Sequence, residues 1–242
     1  MTVPEDLCAR IIARIDGALR AGNCPQIVLD LDGTLLDNVP RTKAILLDSV
    51  RHLFGDGHPL EARIAAIPEG EFEYAPVDTL RKQGIDDEAT LVSLREEWAS
   101  RFFGSGYLTH DLPLAGAVDA VRGWWERGAE LNYLTGRHAP EMFPGTAGSL
   151  AGAGFPIGVI RTQLLMKPDF ELEDVAFKVG VAPYLERKGP VVLLVDNDPR
   201  VVNQLAAALP GAIAVMLRTL HPKDAPAPGA DVRVVNDFRA LA

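Results

Sequence analysis

Three apolar runs in this sequence end in polar residues of a chemically useful kind. Gln26–Leu31 carries Asp30 and leads into Asp32-Gly33-Thr34. A second run, Leu131–Leu134, ends in Thr135-Gly136-Arg137, and a third, Val191–Val195, ends in Asp196-Asn197-Asp198. Residues two apart on a strand face the same side. Asp30 and Asp32 can therefore address one locus. Two carboxylates that close repel, and a cation or a shared proton resolves the conflict. A third carboxylate from Asp196 would complete a hard oxygen site. Mg²⁺ suits such a site, because it takes one or two carboxylates, several waters and a substrate phosphate. Asp30 is the hardest of these residues to read as a mere turn former, since a carboxylate inside an apolar run is costly unless paired. Gly33 permits a sharp turn, and Thr34 can cap the segment that follows.

The elements that must position these residues follow from hydrophobic pattern. Gln26–Leu31, Leu131–Leu134, Ile157–Ile160, Val191–Val195 and Ile213–Leu217 read as buried strands, with Val232–Val235 as a sixth. They are continuous rather than alternating, as parallel strands covered on both faces are. Helical patterns lie between them at Ala117–Arg127, Glu141–Ala151, Glu171–Val179 and Arg200–Ala208, and Pro4–Arg20 forms an amphipathic first helix. Strand alternating with helix implies an α/β fold, a doubly wound Rossmann-like parallel sheet with helices on both faces. One interval breaks the alternation. Residues 41–109 contain no convincing strand but carry helical patterns at Arg41–Phe54 and Asp87–Phe103. The expected organisation is a catalytic core of residues 1–40 and 110–242, with an inserted helical cap of residues 41–109 over the site.

Composition narrows the class. The chain has 242 residues, 48% apolar and 24% charged, with a net charge of −9. This is globular and long enough for a sizeable core. The negative balance argues against general binding to nucleic acid phosphates. Two cysteines, Cys8 and Cys24, exclude a disulfide scaffold and read as buried free thiols. No apolar run is long enough to span a bilayer, and the charged first helix is not a signal peptide. The expectation is a cytoplasmic protein with no membrane partner; the oligomeric state is not readable.

The polar strand ends also carry a family resemblance. Ile27–Asp37 (IVLDLDGTLLD) resembles the first motif of phosphatase-type members of the haloacid dehalogenase superfamily. Gly128–Arg137 (GAELNYLTGR) resembles the second motif and Val191–Pro199 (VVLLVDNDP) the fourth. Order and spacing agree from about Gln26 to Phe238. The resemblance implies a phosphatase that hydrolyses a small phosphorylated metabolite through an aspartyl-phosphate. Asp30 would be the nucleophile. Asp32 would be the general acid and then the general base, its backbone carbonyl also holding Mg²⁺. Thr135 and Gly136 would bind the phosphoryl oxygens, and Asp196 would be a further metal ligand. The family also implies a lysine beside the nucleophile, for which Lys178 is favoured over Lys167. Leu165–Lys178 resembles the phosphatase part of polynucleotide-kinase-like members, where the motif lysine sits on a helix after an acidic residue.

Several residues keep two readings at this point. Asp198 orients Lys178 or a metal-bound water, or caps a helix. Arg137 contacts phosphate or forms a surface ion pair, and His138 follows it with no assigned role. Asp37 and Asn38 read as hinge or turn residues. A phosphomutase or phosphotransferase would use the same residues with another acceptor, and a non-catalytic phosphate-binding scaffold would keep them without turnover. A receiver-type switch is excluded by length and by the order of its acidic residues.

Overall fold

The structure, a computed structural model, describes residues 4–242. In chain order the elements are α1 (Pro4–Arg20), β1 (Gln26–Leu29), β2 (Leu36–Asp37), α2 (Val39–Phe54), α3 (Pro59–Ala65), α4 (Pro76–Lys82), α5 (Glu88–Phe102) and β3 (Leu112–Pro113). There follow α6 (Ala117–Glu126), β4 (Glu130–His138), α7 (Ala139–Ala153), β5 (Thr162–Lys167), α8 (Asp174–Lys188), β6 (Val191–Asp196), α9 (Pro199–Ala208), β7 (Ile213–Leu217) and β8 (Arg233–Val235). Among the described residues, no helix is long and apolar enough to cross a membrane.

Six strands form one sheet in the order β5-β4-β1-β6-β7-β8, and every pairing in it is parallel. The chain runs outward from β1 to β4 and β5, then returns to the other side of β1 for β6. The strand order therefore reverses between β1 and β6, where open α/β sheets place their ligands. Every residue of β1, β6 and β7 is buried, which explains their unbroken apolar sequences. The pleat divides the core. Ile27, Leu29 and Tyr133 pack with Ile11 and Ile15 of α1 and Trp124 of α6 on one face. Val28, Leu134 and Leu194 pack with Leu185 of α8 and Val202 of α9 on the other.

One expected strand is misplaced. Ile157–Ile160 is loop, and the strand is Thr162–Lys167. The apolar run is broken by Gly158 at φ +69° and ends at Arg161 at φ +60°, and Ile160 is 76% exposed. As an edge strand, β5 is only half-buried along most of its length, so its sequence carries no continuous apolar signal. The cysteines are also corrected: both are free, but each is half-buried rather than buried.

Between β2 and β3 the chain contributes four helices and no strand to the main sheet. The helices α2 to α5 enclose their own apolar cluster, which includes Leu46, Val50, Ile64, Leu80, Leu91 and Leu94. The short α3 and α4 were not among the expected elements. Both crossings between this segment and the sheet lie side by side. Leu36 pairs with Pro113 and Asp37 with Leu112 in an antiparallel ribbon, and the Leu114 amide donates to the Leu35 carbonyl at 2.9 Å.

Candidate active site

Past Leu29 the chain turns sharply. The Leu31 carbonyl accepts from the amides of Thr34, Leu35 and Leu36 at 2.9–3.0 Å. Gly33 makes the turn possible at φ +73°, and a Cβ there would lie 2.3 Å from Asn197 Nδ2. The turn brings Thr34 back over Asp30. Its hydroxyl donates to Asp30 Oδ2 at 2.9 Å, so Thr34 orients the carboxylate and does not cap a helix.

The other oxygen of Asp30 accepts from Lys178. Lys178 Nζ lies 2.7 Å from Asp30 Oδ1 and 2.8 Å from Asp196 Oδ2, with all three side chains less than 8% exposed. Asp30 stands at the carboxyl end of β1 and Asp196 at that of β6. Lys178 reaches both from α8, where Val175, Lys178, Ala182 and Leu185 form the buried stripe. Burial, with each aspartate repelling the other, pushes Asp30 above its ordinary value although Lys178 opposes this; burial also raises Asp196. Burial alone would lower Lys178, but the two carboxylates hold it above the usual lysine value.

Of the two candidate lysines, Lys167 is elsewhere. Its Nζ donates to the carbonyls of Phe170 and Leu172 and pairs with Asp174 Oδ1 at 2.7 Å. It thereby pins the loop before α8 and sets Asp174 against Gly136, where a Cβ would lie 2.3 Å from the carboxylate. Asp198 accepts from the Arg200 amide at 2.8 Å and pairs with the Arg200 guanidinium, capping α9. Its amide donates to Asp196 Oδ1 at 2.8 Å. Thr135 is fully buried, and its hydroxyl accepts from the Arg137 amide at 3.2 Å. His138 is buried, with its ring centroid 5.4 Å from that of Phe170. Asp37 accepts from the Val39 amide, a turn role.

Asp32 has different company. Arg137 grips it with two bonds, Nε to Oδ2 at 2.8 Å and Nη2 to Oδ1 at 2.7 Å. Arg41 Nη2 adds a contact to Oδ1 at 2.6 Å, and Asn38 adds one at 3.4 Å. Both guanidinium groups also meet Asp111, at 2.6 Å from Arg137 and 3.2 Å from Arg41. Burial would raise Asp32, but the two arginines outweigh it and hold the carboxyl well below the usual range. Arg137 is thus a buried partner of Asp32, not a surface ion pair. Arg41 and Asp111 were not singled out in the sequence as site residues. The signal was available only as charges at the two joints of the helical segment.

A cavity of about 680 Å³ lies between the sheet and the helical segment. Asp30, Asp32, Thr135, Gly136, Lys178 and Asp196 all line it. The donors present suit a hard divalent cation. Asp30 and Asp196 share a single lysine, so the buried group keeps one negative charge in excess, which a cation would neutralise. The Asp32 carboxylate is engaged by Arg137 and Arg41, so three carboxylates do not converge on one point, and no group of three His, Cys, Asp or Glu side chains does so among the described residues.

No family model matches the chain. A phosphoglycolate phosphatase from Pseudomonas fluorescens is 28% identical over 139 residues, which are 50% of this chain and 44% of the relative. The chain thus matches less than half the length of that relative. Among solved structures, one from Clostridium difficile, described as a phosphatase, superposes with a TM-score of 0.57 at 14% identity, covering 88% of this chain and 95% of the other. Another from Bacteroides fragilis, described as a haloacid dehalogenase-like hydrolase, gives 0.54 at 13% identity, covering 90% and 100%. At these identities the likeness is one of fold, and a fold alone does not carry an activity.

Proposed function

We propose that the chain is a Mg²⁺-dependent phosphatase of the haloacid dehalogenase type, acting through an aspartyl-phosphate on Asp30; the motifs at the strand ends, the fold shared with a haloacid dehalogenase-like hydrolase and the partial match to a phosphoglycolate phosphatase support this reading. The observation that supports this reading best is the buried Asp30–Lys178–Asp196 group at the point where the strand order reverses, facing a cavity.

In this mechanism Lys178 and the Thr34 hydroxyl fix the Asp30 carboxylate so that one oxygen addresses phosphorus. The Gly136 amide and the Thr135 hydroxyl hold the phosphoryl oxygens. Asp30 attacks, the phosphorus–oxygen ester bond breaks, and the leaving alcohol takes a proton from Asp32. Water then attacks phosphorus and gives its proton to Asp32, releasing phosphate and restoring Asp30. Bound by Asp30, Asp196 and the Asp32 carbonyl, Mg²⁺ would supply neutralisation of the phosphoryl charge.

Asp32 must leave its ionised, doubly paired state to act as an acid. Arg41 belongs to α2, the first helix of the segment between the crossings, whereas Arg137 belongs to β4. Movement of residues 41–109 as a cap would withdraw the Arg41 guanidinium and leave Arg137 as the one cationic partner of Asp32, which raises its proton affinity, and closure would keep bulk water from the phospho-enzyme.

The test is phosphate release from a panel of phosphomonoesters. Release should need Mg²⁺, stop with chelator and return when the metal is restored. A metal-independent rate equal to the original would contradict the reading.

A further inference from the structure

We infer that the leaving group this site accepts is an alcohol carrying a bulky aromatic ring, rather than a short acidic one. The inference names a substrate class for the phosphatase reading and rests on it.

The first argument is position. The leaving oxygen must lie beside Asp32, since that residue protonates it. On the side of Asp32 toward the helical segment stands Arg41 at 2.6 Å, and the Arg41 guanidinium lies 3.9 Å from the centre of the Phe102 ring. Phe102 packs on Trp98 with centroids 4.4 Å apart and meets Phe103 edge-on at 5.2 Å. An aromatic wall therefore begins one side chain from the proton donor. It continues along α5, where Leu91, Arg95, Trp98 and Phe102 recur at helical spacing and all line the cavity. Tyr74, 54% exposed, and Phe103, 36% exposed, line it too, so part of the aromatic surface is open to this space.

The second argument is charge. A short acidic leaving group would place a carboxylate within a few bonds of the phosphate and would need a free cation there. Arg137 and Arg41 are taken by Asp32 and Asp111, Lys178 by Asp30 and Asp196, Arg200 by Asp198 and Arg81 by Glu88; Arg95, the remaining lining cation, stands on α5 two helical turns from Phe102, about 10 Å along the helix from the end nearest Asp32. Carboxylates outnumber cationic side chains around the cavity. The third argument is size. At about 680 Å³ the cavity falls in the range that encloses a multi-ring ligand, whereas a two-carbon acid would leave most of it to water.

Two non-cleavable probes, naphthylethylphosphonate and ethylphosphonate, separate this inference from the phosphatase reading. Calorimetric titration with Mg²⁺ present should show the naphthyl compound binding about 100-fold more tightly, through burial of its ring. Trp98→Ala should remove about tenfold of that preference and Trp98→Phe little of it, with ethylphosphonate affinity unchanged in both. Tyr74→Ala, at an exposed position where folding is not at stake, should reduce the preference in the same direction. Equal affinity for the two probes, or Trp98→Ala and Tyr74→Ala both leaving their ratio unchanged, would overturn the inference. Turnover of the corresponding phosphate esters is read separately. Tight selective binding with no phosphate release from either ester would uphold the aromatic site and contradict the phosphatase reading.

Discussion

The two ends of the central sheet are both polar, but they are built differently. At the amino end, Glu130 accepts from Lys188 and Gln163, Gln163 donates to Asn132 at 3.0 Å, and Asn132 donates to Gln26 at 3.1 Å. Gln26 and Asn132 are fully buried. One lysine meets one carboxylate, and the amides bond one another, so the cluster closes on itself. At the carboxyl end one lysine is divided between two buried carboxylates, which face a cavity. The same helix, α8, supplies both lysines, Lys178 and Lys188. Burial of polar groups alone does not mark the site. An excess of like charge beside open space does, because the protein alone leaves it uncompensated.

The largest expected effect lies at the carboxyl end. Asp30→Asn should lower turnover by about a thousandfold or more, since the amide keeps the volume and is not a nucleophile. Its thermal midpoint should not fall, because Lys178 then has one carboxylate to serve instead of two. Steady-state kinetics and a melt check both halves. Removing the lysine should do the opposite to stability. Lys178→Met leaves two buried carboxylates without a counter-ion and should cost about 3–5 kcal/mol in denaturant unfolding. Millimolar Mg²⁺ should recover part of that loss, which would sharpen the contrast between the ends.

At the amino end the pattern should reverse. Glu130→Gln should cost about 1–3 kcal/mol by weakening a closed hydrogen-bond cluster, with kcat/KM unchanged. The smallest effect is expected for Lys188→Ala. Its side chain is about a quarter exposed, so its loss should cost about 1 kcal/mol or less. A large fall in kcat/KM from either amino-end change would break the comparison.

The sequence made the strand ends legible because Asp30, Thr135 and Asp196 interrupt or close apolar runs, and parallel strands covered on both faces leave no other reason for such runs to end so. The edge strand β5 was not legible, since half-buried residues give no continuous pattern, and Ile157–Ile160 competed with it. The helices α3 and α4 span seven residues each, too short for a clear period. Lys178 was legible through the family resemblance, whereas its phase with Val175, Ala182 and Leu185 was not, because the helix expected at Glu171–Val179 in fact runs Asp174–Lys188. The Asp32–Arg137–Arg41–Asp111 network was not identifiable, because it joins four distant stretches of chain through contacts that no local spacing encodes.

The central claim is that Asp30 carries the phosphoryl group. Asp32→Asn should still accept phosphate from an ester with a good leaving group yet release it slowly, so the adduct should accumulate. Acid-quenched Asp32→Asn protein, turned over with an aryl phosphate and Mg²⁺, should show a phosphoryl group by tandem mass spectrometry on the peptide bearing Asp30. The Asp30→Asn, Asp32→Asn double variant should show none. Phosphate release by the wild type with no adduct at Asp30 in the trapped variant, or an adduct on another residue, would contradict the account.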